Sequence, residues 1–189
     1  GVTDITEALI GYDGLSIAHS SQGPALALTK AQVFQALASE VEVNGEIVAN
    51  PYKMWNEIDA SLPAAPITVF GPPPTSGTRD AFVELVMLEG CEAFPAIAAL
   101  EGDRKDEVCE RMRQDGPFIE AGENDNLIVQ RLNADPNALG IFGYSFLFEN
   151  SDTLKAVGVD GVLPGPETIA DGSYAVSRPL YIYVKNAHK

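Results

Sequence analysis

Strand-like and helix-like segments alternate along this 189-residue chain, which predicts an α/β protein whose layers pack on a largely parallel sheet. Two patterns carry that reading. Short runs rich in apolar, β-branched and aromatic residues, at 67–70 and 139–144 for example, lie between Gly, Pro and Asn breakers. Segments with apolar residues at helical spacing separate them, and no internal repeat or low-complexity tract interrupts the alternation.

Residues 9–18 alternate loosely around Gly11 and Gly14 and predict a strand with a turn or bulge, broken by Ser20-Ser21-Gln22-Gly23-Pro24. Asp13-Gly14 after a strand reads as a plain turn in preference to a ligand contact with Tyr12 and Asp13. Thr29-Lys30-Ala31-Gln32 has the capping-box pattern. Val33, Phe34, Leu37 and Ala38 follow at helical spacing, so a helix is expected from Lys30 to about Glu40. Asn50-Pro51 opens a short segment carrying Trp55 and Ile58, and Leu62-Pro63-Ala64-Ala65-Pro66 delivers the chain into the strand at 67–70.

The decapeptide Gly71-Pro72-Pro73-Pro74-Thr75-Ser76-Gly77-Thr78-Arg79-Asp80 joins that strand to a helix marked by Phe82, Val83, Leu85, Val86 and Leu88 and ending near Gly90. A small-residue turn opening a helix makes an anion site. The first helical N–H groups lack partners within the helix, and the aligned peptide dipoles place partial positive charge where they converge. Ser76 and Thr78 add hydroxyl donors, and Arg79 adds a planar fork suited to a tetrahedral oxyanion such as phosphate. The same residues read equally as an ordinary capped helix, with Ser76 or Thr78 as N-cap and Asp80 serving the dipole.

Further on, Asn124-Asp125-Asn126 starts a helix over 127–132, stopped by Asn133-Ala134-Asp135-Pro136. Residues 139–144 form a strand interrupted by glycines, a short aromatic helix follows around 146–148, and a final strand over 180–185 follows Arg178-Pro179. Tyr174, Tyr181 and Tyr183 could stack on a ligand, but Tyr181 and Tyr183 sit at strand spacing and are expected to share a packed face instead.

A net charge of −15 argues against nucleic acid as a partner and repels anions at long range, so a bound anion has to be held by short-range donors. No apolar run approaches a membrane span and no leader is evident at Gly1, so the chain is expected to be soluble and either mature or trimmed. The cysteines, Cys91 and Cys109, bracket a run that can fold back as a helical hairpin. A disulfide, two buried thiols or a metal pair all fit, although His19 and His188, the two histidines, lie far from them in sequence and disfavour zinc. Neither histidine sits in a catalytic or metal-binding pattern, and no cofactor or metal is expected.

Residues near 19–24 and 144–148 are strand ends beside breakers that bracket the block holding the Ser76 loop. Either they are two crossings between lobes, or the chain is a single domain with long loops. Four motifs in order, Ile10-Gly11-Tyr12-Asp13-Gly14, Pro74-Thr75-Ser76-Gly77-Thr78-Arg79-Asp80-Ala81-Phe82, Gly122-Glu123-Asn124-Asp125 and Leu139-Gly140-Ile141-Phe142-Gly143-Tyr144, resemble the periplasmic phosphate-binding proteins of bacterial ABC-type phosphate importers over nearly the whole chain.

That resemblance implies a two-lobed type II periplasmic-binding-protein fold with inorganic phosphate held between the lobes, delivered to the membrane permease of an ABC transporter by a non-enzymatic, periplasmic receptor that is monomeric when complete. Residues 1–20 would be a hinge strand of an outer lobe, 21–144 the central lobe, and 145–189 the return to the outer lobe. Ser76, Gly77 and Thr78 match the family's phosphate loop. Many members carry an arginine ahead of that loop, where Phe70, Gly71 and the prolines stand here, so Arg79 is the candidate on this segment, with Asp125 either orienting it or serving its own helix as an N-terminal acid. Spacing and resemblance together favour the Cys91–Cys109 disulfide and an oxidising compartment.

Members also have a longer N-terminal portion, supplying a second phosphate loop and an acid that accepts a proton from the ligand. Here Gly1 lies close to the first motif, so the first part of the outer lobe is expected to be missing and that lobe incomplete in this chain. Two other readings stand beside the receptor: a phosphatase or phosphotransferase using Ser76 as nucleophile, and an adhesion or signalling module on the same scaffold.

Overall fold

The computed structural model describes residues 4–122 and 124–186, so Glu123 and His188 lie outside the described residues. β1 (Ile5–Ser20) runs past the expected 9–18 at both ends, with a register shift between Leu9 and Gly11 that supplies the expected bulge. Asp13 and Gly14 form no turn, because both are paired within this strand. Gly14 is needed for a different reason: a Cβ there would come within 2.5 Å of Ile169.

β2 (Ala27–Leu28) leads to α1 (Lys30–Leu37), capped as the sequence predicts. The Thr29 hydroxyl accepts the Gln32 N–H at 3.1 Å, and the Gln32 side chain accepts the Thr29 N–H at 2.9 Å. The helix stops short of Glu40 because a hairpin follows, β3 (Glu40–Val43) and β4 (Glu46–Ala49). Its turn is Asn44-Gly45, both residues at positive φ (54° and 83°), the pair a tight hairpin demands. α2 (Trp55–Ile58) buries Trp55, and the chain then enters β5 (Val69–Gly71).

After the proline-rich loop come α3 (Gly77–Phe82), a π-helical turn over Val83–Met87, and α4 (Leu88–Cys91), continuous in backbone conformation, so the expected helix begins five residues earlier than Phe82. α5 (Pro95–Ala98) and α6 (Gly102–Glu110) form the hairpin expected between the cysteines, and a Cys91–Cys109 disulfide staples it with Cα atoms 5.5 Å apart. β6 (Phe118–Glu120), α7 (Asp125–Ala134), β7 (Leu139–Gly143) and α8 (Tyr144–Glu149) follow. Then come β8 (Leu154–Ala156), β9 (Gly158–Val159), α9 (Pro166–Ala170) and β10 (Ser177–Lys185).

The main sheet has the order β10-β1-β7-β5-β6, with β8 also on β1, and it corrects the expectation of a largely parallel sheet. Only β5 with β6 and β5 with β7 are parallel; β1 pairs antiparallel with β7, β8 and β10. Alternation of elements requires helical crossovers only where parallel neighbours follow one another, and β1 and β10 meet without one. Successive residues alternate between two cores, as the pleat requires. Leu15, Ile17, Val69, Leu139 and Ile141 pack under α1 and the 77–110 helices, whereas Ala18, Phe70 and Phe142 pack under α7 and α8 through Ile128, Leu132 and Leu147.

β1 serves two environments. Leu15 to Ser20 are buried in the body, while residues 5–14 pair with β10 in a largely exposed ribbon. The stretches near 19–24 and 144–148 that could have been crossings lie in or on the body: His19 pairs beside Leu139 and Lys155, and Leu147 is buried. Residues 145–176 stay with it too, since Leu154, Val159, Ile169, Tyr174 and Val176 are all in the two cores. The chain leaves the body at 14–15 and 176–177, which the sequence does not mark. Tyr174 is core, and Tyr181 and Tyr183 do share one face, their rings 6.3 Å apart, but that face is exposed.

Closing the loop between cysteines 18 apart in sequence should contribute about 3 kcal/mol of stability. Urea denaturation of the Cys91→Ser/Cys109→Ser variant against the oxidised protein should show a loss of that order. Two alkylatable thiols in non-reduced, unfolded protein would contradict the pairing.

Candidate functional site

The parallel strands β7, β5 and β6 end along one edge of the sheet, and a helix starts just beyond each. Ligands of open α/β sheets bind outside such carboxyl ends, where helix N-termini present free N–H groups. β1 leaves the body on the same edge, because Leu15 pairs with Gly143, the last residue of β7.

From Gly71 the prolines carry the chain to Ser76, the N-cap of α3. Its side chain accepts the Thr78 N–H at 3.3 Å, so the capped-helix reading is realised. It does not exclude the anion reading: a hydroxyl that accepts one bond still has its O–H to donate. The Ser76 carbonyl takes the Arg79 N–H at 2.9 Å and the Asp80 N–H at 3.3 Å. Gly77 is open to space, with nothing within 4 Å of where a Cβ would stand, and its N–H finds no acceptor among the described residues. Of the three backbone N–H groups the Gly77 one is left open, since the Ser76 N–H donates to the Pro73 carbonyl at 3.0 Å, and the Ser76 and Thr78 hydroxyls flank it.

Arg79, half-buried, turns back toward the strands. Its Nη1 donates to the Pro72 carbonyl at 3.2 Å, and its guanidinium carbon lies 4.8 Å from the centre of the Phe118 ring. Burial draws its pKa below the usual arginine range, against the opposing pull of the Glu120 and Asp80 carboxylates. Asp125 is not among these neighbours. It is the first residue of α7, behind the N-cap Asn124, and burial alone pushes its carboxyl above the usual range. Asp125 lies in the first turn of α7, and the contacts of the Arg79 side chain are with Pro72 and Phe118. Sequence reasoning missed both. The signal available was Phe118-Ile119-Glu120, a strand too short to read by alternation.

A cavity of about 350 Å³ runs along the flank of α3, lined by Arg79, Val83 and Leu88 but also by Asp80, Glu84 and Glu110. Three carboxylates make it a poor place for an anion. At the foot of the ribbon Arg178 pairs with Asp13 at 3.6 Å and Glu84 at 3.8 Å, so Asp13 is engaged within the protein. His19 is 5% exposed, bonded through Nδ1 to the Ser20 carbonyl at 2.7 Å, and pairs with Leu139 at the far end of β7 from the loop. Among the described residues no group of three or more His, Cys, Asp or Glu could hold a metal ion.

The family model described as the PBP superfamily domain matches residues 1–189, the whole chain. The chain belongs to the PBP superfamily. It is 31% identical over 179 residues to the phosphate-binding protein PstS of Staphylococcus saprophyticus, covering 92% of this chain and 47% of that protein. It is 27% identical over 184 residues to protein SphX of Synechococcus elongatus, covering 94% and 46%. A crystal structure of a possible phosphate binding protein from Planctomyces limnophilus superposes with a TM-score of 0.70 at 30% identity, covering 97% of this chain and 57% of that one. The fold is thus α/β of the type II periplasmic-binding-protein kind, in a family of substrate-binding proteins. The chain spans about half the length of the curated relatives it matches.

Ser76→Ala removes the cap acceptor and should cost about 1 kcal/mol of stability. Chemical denaturation of the variant checks this, and an unchanged midpoint and slope would mean that Ser76 contributes nothing as a cap.

Proposed function

We propose that the chain carries the ligand-holding lobe of an extracytoplasmic, periplasmic receptor that captures inorganic phosphate between two lobes and hands it to the membrane permease of an ABC importer. The observation that carries this reading is the open N-terminus at Ser76, Gly77 and Thr78, at the sheet edge from which the ribbon departs, in a chain whose relatives are named for phosphate binding.

The body, residues 15–176, would be the lobe holding the loop, and the ribbon the start of the other. Register places Ile5, Leu9, Tyr181 and Tyr183 on one ribbon face and Ala8, Leu180, Ile182 and Val184 on the other. A two-stranded ribbon apolar on both faces needs cover on both, which a second lobe built around it would provide. Phosphate would be held by backbone dipoles, the Ser76 and Thr78 hydroxyls and the Arg79 guanidinium. Closure would exclude water and strengthen each bond by lowering the local dielectric, and the permease would read the closed state.

The enzymatic alternative is disfavoured by position. A serine nucleophile needs a neighbouring base, and His19, the one histidine among the described residues, is buried at the opposite end of the sheet. A phosphate complex with no turnover of a generic phosphomonoester supports the receptor; turnover abolished by Ser76→Ala would replace it with a phosphatase.

In the full-length gene product, Arg79→Ala should weaken phosphate binding by about 1.5–3 kcal/mol, the range for a hydrogen bond to a charged group. Thr78→Val, which keeps shape and deletes a donor, should weaken it as well. Calorimetric titration measures both, and unchanged affinity in Arg79→Ala takes that residue out of the site.

On these 189 residues alone the Ser76 loop faces solvent, so their phosphate binding should be weak and should discriminate poorly against sulfate. Titrating both anions against the isolated chain tests this: tight, phosphate-selective binding would show that the site is complete within these residues.

A further inference from the structure

We infer that Phe118 is a positioning residue for the anion, holding the Arg79 guanidinium by its face and leaving its edge free for the ligand. The inference rests on the phosphate reading above. Arg79 stands three residues past the N-cap of α3 on a long side chain, whose rotamer freedom has to be given up on binding unless the protein has already fixed it. Two contacts fix it. The bond to the Pro72 carbonyl uses one of the five guanidinium N–H donors. The Phe118 ring, 4.8 Å below the guanidinium carbon, attracts its charge while consuming none.

The ring is itself held in place. Phe118 is 6% exposed and pairs with Val69 across the β5–β6 ladder. A Cβ on Gly71 would lie 2.7 Å from its Cε2 and 2.9 Å from its Cζ, so the ring fills the space that a side chain at Gly71 would claim. Gly71, Phe118 and Arg79 form a stack running outward from the end of β5. The alternative for the guanidinium is at hand: the exposed Glu120 and Asp80 carboxylates act on it, and a forked pairing with either would take the donors that an anion needs. A ring of no charge holds the arginine close to both carboxylates without surrendering those donors.

The test is a double-mutant cycle read by calorimetric phosphate titration of the full-length gene product. Phe118→Leu should weaken binding by roughly 3- to 20-fold, the range of a partly desolvated cation–π contact. In an Arg79→Ala background the same change should have no effect, a result that general loosening of the lobe would not give. Phe118→Leu with wild-type affinity, or the same fold-loss with and without Arg79, overturns the inference. A wild-type protein that does not bind phosphate removes the underlying reading and the inference with it. If Phe118→Leu fails to fold, Gly71→Ala displaces the ring instead of deleting it; a loss of similar size, again only with Arg79 present, supports the role, and unchanged affinity overturns it.

Discussion

The parallel pairing of β5 with β6 on one side and β7 on the other is the constraint on which the rest depends. Parallel neighbours end on the same edge: Gly71 and Glu120 finish side by side, β7 runs about two residues further to Gly143, and a helix follows each. Because β1 runs against β7, the ribbon leaves from that edge too. The register is held by both cores at once. A slip of one residue in β5 would move Val69 and Phe70 each into the other's core and carry the Ser76 loop out of line.

An acidic chain that binds an anion has to separate long range from short range. The net charge of −15 acts through solvent, and its repulsion fades over about 8 Å at physiological ionic strength. On the proposed reading, the Gly77 N–H, the Ser76 and Thr78 hydroxyls and a half-buried guanidinium would have to outweigh it within hydrogen-bond distance. The acids are also unevenly placed: Asp80, Glu84 and Glu110 line the flank of α3, so that flank repels anions. Burial lowers the Arg79 pKa, yet arginine starts so far above neutrality that the guanidinium stays charged.

Local chemistry was legible in the sequence, and pairing was not. The capping box at Thr29, the bulge near Gly11, the cap at Ser76 and the hairpin between the cysteines each depend on residues a few positions apart, and each is in the structure. The hairpin at Asn44-Gly45 had as clear a local signal and was overlooked. Strand direction and the point where the chain leaves the body depend on residues more than 120 positions apart, such as Leu15 with Gly143 and Asp13 with Arg178, and no window of sequence carries that. For the same reason the contacts of Arg79 were not legible: Asp125 read equally as its partner or as an N-terminal helix acid, while the structure places a phenylalanine alongside it through the β5–β6 ladder.

The ribbon bears on how two lobes could move. One of its strands is continuous with the body, since β1 passes unbroken from the ribbon at Gly14 into the buried sheet at Leu15, whereas β10 starts at Ser177 after a bend at 174–176. The side-chain ties at its foot, Arg178 with Asp13 and Glu84, are long and part-exposed, and contribute little stiffness. Packing contributes more: Ile169 occupies the space over Gly14, and the Leu15 N–H bonds the Val176 carbonyl at 2.9 Å. Displacement of the ribbon therefore has to be absorbed as twist within β1 on either side of those contacts and in the bend before β10. Strands bend smoothly and return, which suits a receptor whose open and closed forms differ by small changes spread over many residues.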